Sequence, residues 1–315
     1  MQPILIRCGG YQPPASIHNR AAEVLGKGVA ARLGESVRFE LDGNIVARGH
    51  NAADLLEWVR TGRIELCYFS TSYLADAAPE ITALDLPFVV EQREQAYAAL
   101  DGSLGERLSA RLAAARAYKV LGYFDNGFRH WSNRVRPIRA PADCQGLRIR
   151  TLFSATHQEV FRALGFEPVP LDVKDLLAAV RAGTVDAQDN PLTNIYNFAI
   201  HEQHRHITLS AHFWGAAALL CNGAAFARWP QEVRDAMTAA ATEATAEQRR
   251  MAAAEDDEAL DKLKAAGCEI VTPTDAERAA FVHAVAPVVE RHRAELAPGV
   301  LEALAGSAQN AGAEA

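Results

Sequence analysis

The chain has 315 residues, 49% hydrophobic and 23% charged, with a formal net charge of −7. That is ordinary globular composition, enough for one large or two medium domains. No run of eighteen apolar residues is present to span a membrane as a helix, and acids and bases are interspersed rather than gathered into the basic surface that nucleic acid requires.

Residues 4–8 predict a first strand, closed by Gly9-Gly10, and Ser16 caps a helix predicted over 17–33 that Gly34 ends. Residues 37–41 alternate as a second strand, 54–61 form a short helix stopped by Gly62, and 64–69 read as a buried strand. Strand and helix in alternation predict a parallel sheet covered by helices. Ligands sit beyond the carboxyl ends of such strands, which makes Tyr11, His18, Ser70, Thr71 and Tyr73 candidates for a cleft. Helices follow over 91–100 and 104–117, then a strand over 119–124.

Residues 122–150 hold six arginines and no lysine. Arg129 follows what reads as an Asp125-Asn126-Gly127 turn. Arg150 ends the alternating run Leu147-Arg148-Ile149-Arg150, which predicts a half-buried strand with the two arginines on one side. A guanidinium is a planar fork that matches a carboxylate with two parallel hydrogen bonds. An arginine on a strand is more often solvated or paired with a nearby acid. Beyond it, 155–164 and 173–182 predict helices around a short strand at 167–170. The residues from 229 to 266 predict one helix of about 55 Å at 1.5 Å per residue, longer than one lobe. Residues 274–296 predict a final helix pair and 305–315 a polar tail.

GYFDNGFRHWSNRVRPIRAPADCQGLRIR, with the Leu86-Pro87-Phe88 segment and the stretch at 164–198, resembles the signatures of DctP-type solute-binding proteins of tripartite ATP-independent periplasmic (TRAP) transporters. The resemblance runs from about residue 4 to 290. It implies an α/β, two-lobe periplasmic-binding-protein-like fold, type II-like, with the long helix bridging both lobes. Residues 1–124 plus about 212–250 would form the first lobe, and 125–211 plus about 251–304 the second. It implies an extracytoplasmic receptor for a small organic acid, a monomer working with membrane permease subunits, with no cofactor or metal of its own. By position in the motifs, Arg150 matches the arginine that clamps the ligand carboxylate, Arg129 a second arginine that joins it, and Asn190 the asparagine that orients it. Asp189 stands where the family has Glu, and Val173-Lys174-Asp175-Leu176-Leu177 lacks the aromatic and the phenol usual there. Phe153, His212 and Trp214 add rings that would line a pocket for a partly apolar or aromatic acid.

The chain opens in a strand, with neither the basic start nor the cleavage site of a signal peptide. It is either cytoplasmic or a mature periplasmic chain, and the resemblance favours the second. Five widely spaced cysteines lack metal-ligand spacing; Cys8, Cys67 and Cys221 read as small core residues. His201, His204 and His206 do not share a helix face, and no Gly-x-Ser-x-Gly or P-loop motif occurs. A soluble enzyme on the same fold and a receptor for a sensor kinase are the alternatives.

Overall fold

The computed structural model describes residues 2–304; the expected tail at 305–315 lies outside them. The first part of the chain supplies β1 (Ile4–Gly9), α1 (Ile17–Leu33), β2 (Val37–Asp42), α2 (Asp54–Thr61) and β3 (Leu66–Ser70). It continues with α3 (Arg93–Asp101), α4 (Ser103–Arg116) and the long β4 (Tyr118–Asn133). Next come α5 (Pro141–Cys144), β5 (Arg148–Thr151), α6 (Ala155–Ala163), β6 (Glu167–Pro170), α7 (Val173–Ala182), β7 (Ala187–Asn190) and α8 (Leu192–Asn197). The second long strand, β8 (His206–Asn222), is followed by α9 (Gly223–Arg228), α10 (Gln231–Ala265), β9 (Glu269–Val271) and α11 (Asp275–Glu295).

Local chemistry sets several of these boundaries. The Ser16 side chain accepts from the Asn19 amide at the start of α1, and Asp172 does the same for Lys174 at α7. Gly62 and Gly183 close α2 and α7 in the left-handed conformation, where glycine carries no Cβ penalty. The final helix departs from expectation. It is one continuous α11 with Pro287 inside, because Phe281, Val285 and Val288, from both sides of the proline, pack into the same core.

The strands form a single sheet in the order β2-β1-β3-β8-β4-β7-β5-β6, with β9 on β8. β1 pairs in parallel with β2 and β3, and β5 with β6 and β7. Between these two parallel groups lie β4 and β8, antiparallel to each other. Each runs through both halves of the sheet: β4 starts beside the end of β8 near β3 and finishes beside β7. Helices cover both faces of each half, giving the two-lobe α/β fold. α10 is shared between them. Met237, Ala240, Ala241 and Ala244 pack with Leu25 and Val29 of α1, while Ala259 and Leu263 pack with Leu176 and Val180 of α7. All five cysteines are buried and unpaired, and burial pushes the Cys8 thiol up to about 12.

Where β4 passes from one half to the other its register against β8 shifts, between Asp125 and Gly127. The expected Asp-Asn-Gly turn is therefore a bulge inside a continuous strand. Gly127 sits at φ +91 there. The bulge is tied down from three sides. Asp125 is fully buried; its carboxylate takes Arg93, the Tyr97 hydroxyl and the Gly127 amide. Arg93 also reaches Asp256 of α10. Gln248 of α10 clasps the Asp125 backbone, accepting from its N–H at 2.7 Å and donating to its carbonyl at 2.6 Å. Gln248→Leu removes both partners, and a buried backbone group left unsatisfied costs about 1–3 kcal/mol. The variant is expected to melt well below the parent in calorimetry; an unchanged melting temperature would show that Asp125 finds other partners.

Candidate functional site

β5 lies between β6 and β7, so Arg150, third of its four residues, emerges at the carboxyl end of three parallel strands. Its Nε and Nη2 both donate to the carbonyl of Leu171, at 3.0 and 2.6 Å. Among the described residues no carboxylate lies within ion-pair distance of it, although it is only 1% exposed. Burial is the largest influence and pulls its pKa below the ordinary arginine value, with Tyr73 and Asp189 opposing. A guanidinium does not deprotonate in practice. A buried cation without a counter-ion is costly, and the carbonyl of Leu171 offsets only part of that cost. Arg148, two residues earlier on the same face, is half-exposed and forms a two-pronged pair with Asp186, 2.8 Å on each bond.

Arg129 lies on β4 opposite Phe213 of β8 and is buried. Its Nε donates to Asp189 Oδ2 and its Nη2 to the Asp189 carbonyl. Burial alone would push Asp189 up, but the charge and hydrogen bond of Arg129 outweigh it and hold the carboxyl well below the usual range. Asn190, next on β7, donates to Gln188, which donates on to Ser132; one of its two amide hydrogens remains uncommitted.

These groups meet at a cavity between the two halves of the sheet. One side brings Tyr11, Gln12, Ala52, Phe69, Ser70 and Tyr73; the other brings Arg150, Leu152, Val173, Asn190, Asn194 and Phe198; Asn126 and Arg129 come from the crossing strand. Its open space is about 30 Å³, far below the roughly 300–1,000 Å³ of a ligand pocket, so the lobes stand close together. The Tyr11–Gln12 loop is fixed by a buried hub: both amides donate to the Tyr68 hydroxyl, which donates to Asn19. A larger groove of about 430 Å³ lies on the outer side of the first half, but Arg7 and Arg48 there already pair with Glu65 and Asp42.

Of the residues singled out from sequence, Arg150, Arg129, Asn190, Tyr11, Ser70 and Tyr73 line this cavity. The others do not. Phe153 is 56% exposed: strand alternation ends at Thr151, the chain turns so that Ser154 caps α6, and Leu152 takes the wall instead. Trp214 is buried in the core against Tyr97. His212 lies one layer behind, stacked on Trp131 and bonded to Ser210 at 2.7 Å. Its 3.6 Å approach to Asp189 is too long for a hydrogen bond. His18 packs between Tyr68 and Phe124. Thr71 bonds the Ala216 carbonyl. His201, His204 and His206 are engaged separately, with Tyr196, Ser132 and Glu269. Sequence reasoning missed Asn126, Gln12 and Asn194. Asn126 was legible only as a turn residue, and the other two carry no local signal.

A parallel-strand end presenting buried, convergent arginines between two lobes defines a receptor for small anionic solutes. The profile of the bacterial extracellular solute-binding protein family 7, DctP, matches residues 8–296, and the chain belongs to that family. A solute-binding protein of Verminephrobacter eiseniae is 31% identical over 247 residues, covering 78% of this chain and 73% of that one. The 2,3-diketo-L-gulonate-binding periplasmic protein YiaO of Escherichia coli is 31% identical over 235 residues, covering 75% and 71%. The sugar acid binding protein DctPAm of Advenella mimigardefordensis, solved with galactonate, superposes with a TM-score of 0.92 at 28% identity, covering 98% and 99%. Other similar solved structures, at 25% and 27% identity, are TRAP periplasmic solute binding proteins, and among the described residues no helix is long and apolar enough to cross a membrane.

Burial pushes His18, His130 and His204 down to about 3 and His212 to about 4, against about 6.5 in the unfolded chain. The unfolded chain therefore takes up protons first as pH falls. The stability of the neutral rings is complete above about pH 6.5 and lost on acidification, each at up to about 1.4 kcal/mol per pH unit. The melting temperature is expected to drop between pH 7.5 and pH 5; a flat or rising profile would mean these rings are solvated.

Proposed function

We propose that this chain is an extracytoplasmic receptor that captures one small organic acid between its lobes and delivers it to the membrane permease of a TRAP transporter, without chemical change to the ligand. The observation that carries the proposal is Arg150, a buried guanidinium with no acidic partner among the described residues. Its two bonds to Leu171 hold the fork still, and Nη1 is left to meet a carboxylate together with Nη2. Arg129 flanks the carboxylate and the free Asn190 hydrogen orients it. Tyr11, Ser70 and Tyr73 close over the ligand from the first lobe. That lobe comprises residues 1–124 with about 212–250, and the second 125–211 with about 251–304; the register shift at Asp125/Gly127 supports a boundary there. The wall mixes polar side chains with Ala52, Phe69, Leu152, Val173 and Phe198, and Phe153 and Trp214 are not part of it. Its polar members suit the hydroxyls of an acid such as that in the galactonate-bound relative, and its apolar members suit a carbon chain.

A thermal-shift screen over organic acids identifies the ligand, and titration of variants tests the clamp. Arg150→Lys keeps the charge but loses the fork. Breaking one partner of a buried charged pair costs about 2–5 kcal/mol, and lysine should lie near the lower end, about a ten- to hundredfold loss of affinity. Arg148→Lys disturbs only a half-exposed pair and is expected to bind as the parent does. Wild-type affinity in a normally folded Arg150→Lys protein would place the carboxylate elsewhere. A cavity of about 30 Å³ must open to admit such an acid, so X-ray scattering is expected to show a larger radius of gyration without ligand than with it; equal radii would rule out lobe closure.

A further inference from the structure

Asn126 is the residue that the register shift in β4 leaves over. Asp125 lies opposite Ala216 and Gly127 opposite Gly215, so no residue of β8 faces Asn126. Bulges re-aim a side chain, and Asn126 joins the wall of the cavity. Two features hold it there. The residue before it is fixed: the Asp125 carboxylate takes Arg93, the Tyr97 hydroxyl and the Gly127 amide, and Gln248 holds its backbone. The residue beside it leaves room: a Cβ on Gly215 would come within 3.3 Å of Asn126 Nδ2 and 3.4 Å of its Cβ. Asn190 and Asn194, the other asparagines of the wall, are tied to each other and to Gln188. Asn126 Oδ1 is not tied. The residue is 7% exposed, and its Oδ1 is buried with no hydrogen-bond partner. Among the described residues that line the cavity, no other side-chain atom is in that state. Arg129, three residues on, does not supply the missing donor; its Nε and Nη2 are held by Asp189.

We infer that Asn126 is a specificity residue: its Oδ1 accepts a hydrogen bond from one hydroxyl of the ligand, so the receptor selects a hydroxy acid over the same acid with that hydroxyl replaced by hydrogen. Gly215 is the positioning residue that gives the amide its place. The inference rests on the receptor reading above. A buried acceptor left without a donor is costly, and the occupant of the cavity must supply the donor that the chain does not. A hydroxyl donates; an ionised carboxylate only accepts, and a methylene does neither. A ligand that displaces water from such a group without reproducing its bond loses affinity.

The test is calorimetric titration of galactonate, erythronate and the acid returned by the screen, each against its analogues lacking one hydroxyl at a time. For each hydroxy acid that binds the parent, one deletion is expected to weaken binding at least about tenfold, a gap of about 1.4 kcal/mol. In Asn126→Leu, confirmed folded by its thermal transition, that gap is expected to shrink to about twofold or less. The full acid weakens, the deoxy analogue does not, and the other deletions cost what they cost in the parent. Gly215→Ala, which crowds the amide from outside the cavity, is expected to narrow the same gap and no other. Deoxy analogues that all bind the parent as tightly as the full acid, or a parent that binds only acids without hydroxyls, overturn the inference and leave the receptor reading standing. A gap unchanged in folded Asn126→Leu overturns the role of Asn126. Should that variant fail to fold, Asn126→Ala carries the same comparison. A parent protein that binds no acid in the screen overturns the receptor reading and the inference with it.

Discussion

The antiparallel pairing of β4 with β8 is the constraint on which the rest of this molecule depends. These two strands run through both halves of the sheet, so the backbone ladder that joins them also joins the lobes. Where the ladder loses register, at Asp125/Gly127 and again between Arg129 and Trp131, the strands bend, as bulged strands do. The site sits at these irregularities. Asn126 comes from the first, Arg129 stands between them, and at the second Ala211 takes a positive φ while its amide donates to His130 at 3.1 Å. The distortion that allows two lobes also aims side chains into the space between them.

Electrostatics then divides the work between two buried arginines. Arg129 and Asp189 form a closed pair within the fold. Such a pair is a poor source of net stability, because both charges have been desolvated, but it keeps a guanidinium at the cavity in one orientation. Arg150 is fixed by a neutral carbonyl instead, which orients the group without neutralising it. The two side chains have the same chemistry and different partners, and the difference lies in what each meets across a neighbouring strand.

That is also where legibility in the sequence stops. Segments whose structure is decided locally were readable: α1 with its Ser16 cap, α2 ending at Gly62, β6, and α7 ending at Gly183. Arg150, Arg129 and Asn190 were found through motif resemblance, and the cavity contains all three. The errors fall where a distant partner decides. The Asp125-Asn126-Gly127 turn is a bulge because β8 and Gln248 hold the chain extended. His212 and Trp214 were placed at a pocket because β8 is buried on both faces along this stretch, and a doubly buried strand loses the period-two pattern that assigns faces. Phe153 was placed inside because nothing local marks the end of alternation at Thr151.

The five cysteines have a bearing on the life of the chain before it is folded. A thiolate, not a thiol, attacks oxidants and disulfides. Cys8, Cys67, Cys144 and Cys221 lie in packed strands and helix ends where burial raises the pKa of each, so the folded protein presents scarcely any reactive sulfur to an oxidising compartment. The unfolded chain has ordinary thiols, five of them, and no native pairing to direct them. Oxidation is thereby directed at the chain before its sheet has formed, and the packing of β1, β3 and β8 around Cys8, Cys67 and Cys221 is itself the protection.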